Sequence, residues 1–578
     1  MAHERLILDA WTPLSFKRAL GTRKQAGTSW LAPTWVGDHA RRLQAYTMLQ
    51  AYIDNAGREY LAEVGEEDRE EHREYGDAAL ISETIRSALL GDSQEVFVEG
   101  SDKTNADGTA SDPEAVLLQE WLQQWASDER FQLKMIEAER NAVNLGDGVY
   151  TLGWSSDKGR PRLRVFDPGF YFPVLDDGPE DDYPSRVHIA WEMETPHTGE
   201  RKLRRITWEL LDLPNGETRS TPWSAKPSTQ TCYMTDATWT LQSASRETVD
   251  DMTGASVEYT VDSEGEIKDR DLGIDFIPVV HIPNTVSLLN HYGQSSLSRI
   301  LQIVDDLANA DTDLQRAAAT TGFPPIAVSG ARISERPTYR PGQIFDMGDG
   351  RMDVMDTSRS LDALLKYTEQ LLERLSVNGR VPSSLLGRVK PSEVPSGVAL
   401  ALSFGPLSSM INEMRIVRGE KYALLFKFVY RLAAAAKMPD VPALTAEMRM
   451  TLKLGSYLPH DTNDAVTMVR TLLGNGTEPA AVSLESAVRL LAEVGLPIDD
   501  VHEEILQIQH RDFKGASALL DATGVPAEVS VYLGRSVAPA PTPAVPPGPP
   551  GFPTAPQVQL PNPAATVPMP LNPPETGA

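Results

Sequence analysis

Between residues 40 and 145 apolar side chains recur at helical spacing: Leu43, Tyr46, Leu49, Tyr52 and Ile53, then Ile81, Ile85, Ala88 and Leu89. Asp112-Pro113-Glu114 reads as a helix start, with a capping carboxylate, a first-turn proline and an acid at the positive helix end. The helices that follow carry Leu117, Leu118, Trp121, Leu122 and Trp125, then Phe131, Leu133, Met135 and Ile136. Trp121 and Trp125, one turn apart, read as core rather than as a stacking platform. At Gly146 the period changes. Residues 149–154, 162–166, 171–175, 187–192 and 202–210 predict short strands, with a turn at Asp157-Lys158-Gly159. Further strands are predicted at 231–234, 257–261 and 277–282.

Helix returns after Gly293. Leu297, Ile300, Leu301, Val304, Leu307 and Leu314 share one stripe, and Asp305, Asp306, Asp311 and Asp313 lie largely off it. A small β insert is predicted over 326–355. A second amphipathic helix follows, carrying Leu361, Leu364, Leu365, Thr368, Leu371, Leu372 and Leu375, and stopping at Asn378-Gly379. A loop over 380–395 holds Arg380, Arg388 and Lys390. A long helix is predicted over 396–436, kinked by Gly405-Pro406, with Gly397 near its start. Residues 447–454 alternate like a strand, and 461–520 predict about three more helices. The fold class is mixed α+β.

Composition changes the picture in two places. The last forty residues hold 15 of the 43 prolines and one charge, Glu575, which predicts a disordered, polyproline-like tail. The 578-residue chain carries 54 Lys+Arg against 81 Asp+Glu, a net charge of −27. That balance argues against a protein that coats nucleic acid and does not exclude one that lets nucleic acid pass without sticking, because like charge repels phosphate. One cysteine, Cys232, excludes an intrachain disulfide framework and cysteine-based metal clusters. The best apolar run, 422–436, contains Lys427 and Arg431 and is too short to cross a bilayer, so no membrane partner is expected.

Catalytic spacing is sparse. There is no phosphate-cradling G-x-x-x-x-G-K-[ST], and Gly146-Asp147-Gly148 opens a strand rather than a helix. Gly293-Gln294-Ser295-Ser296 is not a nucleophile elbow. His502-Glu503-Glu504 lacks the second histidine of a zinc site, so no metal or cofactor is expected. Asp176, Asp177, Glu180, Asp181 and Asp182 read either as a solvated acidic loop or as a divalent-cation site; the second reading leaves a cation-dependent enzyme as one alternative.

The order of parts and four local strings resemble the portal proteins of tailed bacteriophages, in the branch found in long-tailed siphophages. The strings are "NLGDGVYTLGWSSDKGRPRLRVFDPGFYFPVLDD" (144–177), "HIPNTVSLLNHYGQSSLSRILQIVDDLANADTDL" (281–314), "PSGVALALSF" (395–404) and "LPHDTNDAVTMVRTLL" (458–473). The resemblance covers about residues 40 to 520 and implies a non-enzymatic structural protein. Its parts would be an N-terminal arm (1–40), a helical then β-rich wing (41–285), a first stem helix (286–322), a β clip (323–358) and a second stem helix (359–378). A tunnel loop (379–395), a long wing helix with return strand (396–455), a helical crown (456–535) and the proline-rich tail (536–578) would complete it.

The resemblance further implies a ring of about twelve subunits at one capsid vertex of the virion, assembled in the bacterial host cytoplasm. Double-stranded DNA would pass through the channel during packaging and ejection. Partners would be the terminase large subunit, a head-completion or adaptor protein, and the major capsid and scaffolding proteins. Arg380, Arg388 and Lys390 would face DNA from the tunnel loop, Gly397, Gly405 and Pro406 would act as hinge and kink, and the four aspartates would form an acidic face on the first stem helix. Another head–tail connector or minor capsid protein is the nearer alternative.

Overall fold

The computed structural model describes residues 37–57, 74–101, 112–175, 183–194, 201–241, 257–262, 265–285, 291–322, 326–329, 351–354, 358–387, 403–442, 448–457, 462–473 and 481–493, with a few positions between 498 and 514. The chain forms two compact units, residues 1–461 and 462–578.

The first unit opens with helices α1 (Gly37–Ile53) and α2 (Asp77–Leu90). Strand β1 (Gln94–Val98) follows, then α3 (Pro113–Asp128) and α4 (Phe131–Leu145). The start of α3 is the one the sequence predicts: Asp112 caps it by accepting the Ala115 N–H, with Pro113 in the first turn. β1 is a departure, because no alternation separates it from the helical pattern around it. It pairs antiparallel with a strand about 350 positions later, Val96 opposite Leu452, so a distant partner decides its conformation.

The β-rich part begins with β2 (Asp147–Ser155) and β3 (Arg160–Phe166), a hairpin whose turn holds Gly159 at φ +60°. It continues through β4 (Tyr171–Val174), β5 (Arg186–Glu194) and β6 (Arg201–Asp212). The short hairpin β7 (Arg219–Thr221) and β8 (Ser224–Ser228) comes next, then β9 (Gln230–Leu241), β10 (Val257–Tyr259), β11 (Val261–Asp262), β12 (Gly265–Glu266), β13 (Arg270–Asp271) and β14 (Val279–Pro283). One sheet runs β10-β9-β6-β5-β4 with β13 beside β9, and a second runs β14-β2-β3. The β7–β8 hairpin has no counterpart in the predicted strands; its polar Arg-Ser-Thr and Ser-Ala-Lys-Pro-Ser stretches carry no apolar alternation.

Helix α5 (Leu301–Gly322) starts later than predicted, since residues 296–300 form turns. Strands β15 (Ile326–Ser329) and β16 (Arg351–Val354) pair antiparallel, and α6 (Ser358–Gly379) returns along α5. Helix α7 (Gly405–Ala435) and strand β17 (Met450–Leu454), the partner of β1, complete this unit. The described part of the second unit contains α8 (Thr462–Leu472) and α9 (Leu484–Glu493), which pack on each other.

Two cores lie side by side in the first unit, and α7 runs through both. Its first half gives Leu407, Ile411 and Met414 to a core with α1, α2, α5 and α6. Its second half gives Tyr422, Phe426 and Val429 to a core with α3, α4, β1 and the two larger sheets. At 31 residues α7 spans about 46 Å, long enough to serve both. At the junction Arg418 is 1% exposed and donates to the Glu139 carboxylate at 3.0 and 3.1 Å and to the Asn284 carbonyl and side-chain oxygens at 2.9 Å. Tyr422 donates to the same carboxylate at 2.7 Å.

Candidate functional site

The predicted site residues cluster on the α5–hairpin–α6 excursion and the segment after it. α5 and α6 are amphipathic because apolar residues return every three or four positions, and the inner parts of those stripes enter the core: Leu307 and Ala310 from α5, Leu371 and Leu375 from α6. The outer parts behave differently. From 313 to 319 on α5 and from 361 to 367 on α6 no residue is buried. Leu365 is 44% and Tyr367 46% exposed, and Val377, nearer the body, is 70% exposed. Over this length the two helices pack along each other, and none of their described residues is buried.

Helix α6 ends on a left-handed residue, but that residue is Arg380 rather than a glycine. Its φ is +55°, its N–H reaches the Val377 carbonyl at 3.2 Å, and the Val381 N–H reaches Ser376 at 3.1 Å. This is a Schellman stop, and Val381 after it is buried in the same core as Leu375. Gly379, the predicted stop residue, packs instead against Ile81 and Ile300, where an added Cβ would sit 3.7–3.9 Å from their methyl groups. Arg380 is half-buried. Arg388, Lys390 and Gly397 lie outside the described residues.

The described part of the long helix begins at Gly405, after Phe404 at its N-cap. Pro406 stands in the first turn of this stretch; Ser403 just before it is also helical, Phe404 between them is a turn residue at φ −78° and ψ −9°, and the predicted helix before 403 lies outside the described residues. The four aspartates of α5 do not form a single solvent face. Asp305 accepts the Tyr52 hydroxyl at 2.8 and 2.9 Å, which ties α1 to α5. Asp311 is half-buried, and burial, with Asp77 nearby, pushes its carboxyl above the ordinary range. Asp306 is half-buried, while Asp313 is exposed and pairs loosely with Arg316 at 3.8 Å.

The glycine strings that looked like motifs serve the backbone. Gly146 ends α4 at φ +111°, where a Cβ would come within 2.7 Å of the Gly293 carbonyl. The Asn284 N–H donates to the Gly146 carbonyl at 2.7 Å, and the Gly293 N–H to Asp147 Oδ1 at 2.8 Å. Asp147 also meets His281 Nε2 at 2.7 Å and accepts the Tyr46 hydroxyl. Tyr171 and the His281 and His291 rings stack beside it, the two imidazoles 4.5 Å apart. Burial raises the Tyr46 and Tyr171 phenols well above their ordinary range. This knot joins α1 to the β14–α5 connection. Its carboxylate is 1% exposed and fully engaged by these donors.

Among the described residues no group of three or more His, Cys, Asp or Glu could hold a metal ion. The acidic run 176–182 and His502 lie outside them. Among the described residues no helix is long and apolar enough to cross a membrane. Trp125 is core and donates to the Pro161 carbonyl at 2.9 Å, while Trp121 is half-buried and edge-on to Tyr430.

One feature escaped sequence reasoning. Arg160, Arg162 and Arg164 alternate along β3 with Pro161 and Leu163, both buried, so the three guanidinium groups share the outer face. The spacing R-P-R-L-R was the available signal. No protein-family model matches this chain, and no curated protein matches it.

Proposed function

We propose that this chain is the subunit of a phage portal ring, a non-enzymatic channel for double-stranded DNA at one capsid vertex. The observation that carries the reading is the α5–hairpin–α6 excursion, which over its outer half has no buried residue among the described ones. Two helices alone seldom hold a fold in water, because their apolar stripes need a further layer. Copies of the same excursion arranged around an axis supply that layer and enclose a channel. Leu365, Tyr367 and Val377 are the residues that neighbouring copies would cover.

Two further facts support the reading. Helix α7 links the core under the excursion to the β-rich core, so load on a channel wall passes into the body through one rigid element. The net charge of −27 per chain gives roughly −320 for a ring of about twelve, which discourages phosphate from adsorbing to the wall. On this reading the hairpin β15–β16 is the face met by terminase and later by the adaptor, and Arg380 begins the loop that faces DNA.

The test is native mass by light scattering with negative-stain images of the same fraction. A ring of about twelve copies with a central hole is the expected result. A compact dimer or tetramer without a channel overturns it and favours a different connector or minor capsid protein.

A further inference from the structure

The outer face of β3 lines a cleft of about 750 Å³ between the two larger sheets and the C-terminal end of α7. Five cations border it, Arg162, Arg164, Arg204, Arg270 and Lys437, against three carboxylates, Asp236, Asp262 and Asp271. The carboxylates are all engaged. Asp236 takes Arg204 through two bonds at 2.7 and 3.0 Å, Asp271 takes Arg219 at 2.7 and 3.1 Å, and Asp262 takes Arg270. Arg162, Arg164 and Lys437 have no carboxylate within 4 Å among the described residues, in a chain where acids outnumber bases. Burial and then the Arg162 and Arg204 charges hold the Arg164 guanidinium below its ordinary range.

A guanidinium fork matches a carboxylate bidentately, and like charges gathered in a cleft are relieved by an anion. The cleft's volume is that of a ligand site, far too small for a duplex. Of its tryptophans only Trp154 is exposed; Trp208 is buried and Trp223 is held by Asp275 and Arg431. Successive stacking faces, which single-stranded nucleic acid uses, are therefore missing.

The geometry points to a docking site for an acidic peptide segment presented by a second copy of this chain. Residues 176–182, Asp-Asp-Gly-Pro-Glu-Asp-Asp, are the densest base-free run of carboxylates in the sequence and fit it by charge. A cleft on one surface and its complement on another make a head-to-tail contact, the kind that closes a ring. This inference rests on the ring reading and gives its interface a chemical identity.

Two experiments on the full chain decide it. The first titrates a synthetic peptide of residues 174–184 and follows tryptophan fluorescence. Saturable binding, weakened about tenfold or more by high salt and lost in Arg162→Glu with Arg164→Glu, is expected. No binding, or equal binding by the double variant, overturns the site. Tighter binding of a short single-stranded oligonucleotide overturns the assignment of the partner.

The second measures native mass. The Arg162→Glu, Arg164→Glu chain fails to assemble, as does a chain with all five acids of 176–182 changed to Lys, and mixing the two restores assembly. If the cleft variant forms rings as the wild type does, the docking inference falls and the ring reading stands. If the wild type forms no ring, the ring reading falls and the peptide titration alone decides the cleft. Rescue by both changes within one chain, but not by mixing, overturns contact between copies.

Discussion

Arg130, Arg380 and Lys437 share a device: each stands where a helix ends, with positive φ (53°, 55° and 51°). Glycine takes this conformation without strain, while another residue gives up about 1 kcal/mol. A cation there answers the negative end of the helix dipole and offsets part of that cost. For Arg380 this separates two roles that the sequence could not. Arg380→Gly should leave the fold as stable or more stable, by up to about 0.5–1 kcal/mol in urea unfolding, because the backbone strain relieved outweighs the charge's attraction to the helix end. If the charge also serves DNA, the same variant should lower packaging while assembling normally. Loss of stability in Arg380→Gly would mean that the side chain has a packing role instead. A second residue-scale prediction concerns acid. Burial opposes ionisation of Asp271, but Arg219, the Thr231 hydroxyl and the Gly273 N–H hold its carboxyl down to about 2. A folded value below the unfolded one, near 3.9, means the stabilisation is complete above pH 4 and is lost as pH falls towards 2. Asp271→Asn should lower stability at pH 7 and flatten its decline between pH 4 and 2, read by thermal melts across that window. Arg380 was found as a charge in a loop after a helix, and its position after Asn378-Gly379 was legible. Its left-handed backbone was not, because Gly379 is the residue that propensity selects for that task, and the closeness of Ile81 and Ile300 is invisible in sequence.

At the scale of elements, the helices and the longer strands were readable because each has a private period: 3.6 for α2, α3, α5 and α6, and 2 for β3 and β6. The failures occur where an element borrows its shape. β1 is a strand because β17 lies beside it. Residues 296–300 carry a helical stripe but turn instead, because Ser295 and Ser296 are bonded to Asn144 and Val143 across the α4 end. Helix α7 depends on a contact that no pattern announces, the fully buried Arg418–Glu139 pair. Removing one partner leaves the other charge buried and unanswered. Glu139→Gln should therefore reduce stability by about 3–5 kcal/mol, while Glu139→Leu together with Arg418→Met should recover most of it. Equal losses in the single and double variants would assign the energy to Asn284 and Tyr422 instead. Helix α5 carries the opposite balance. Burial and Asp77 raise the Asp311 carboxyl, so its folded value exceeds its unfolded one and its ionised form strains the fold above that value. Asp311→Asn should raise the melting temperature at pH 7, and the gain should vanish as pH falls below the Asp311 titration.

At the scale of the molecule, the excursion α5–β15–β16–α6 carries the proposed function, and on that proposal neighbouring copies cover its exposed apolar residues. Leu365→Glu with Val377→Glu should leave the monomer's unfolding within about 0.5 kcal/mol of wild type, since surface changes rarely do more. The same pair should abolish the ring, seen as loss of the high-mass species in light scattering; rings of unchanged size would place the subunit contacts elsewhere. The sequence by itself determined the class of fold, the change from helix to strand at Gly146, the helix–hairpin–helix excursion and the acidic balance, because each follows from local periodicity or from counting. Only the tertiary structure decided that α7 joins two cores, that Asp147 gathers Tyr46, His281 and Gly293, and that Arg162 and Arg164 on β3 open into a cleft. The Asp147 contacts join residues more than a hundred positions apart, and the cleft brings β3 to Lys437 at the end of α7. Chain closure over that distance is set by the packing of whole elements, and no local pattern records it.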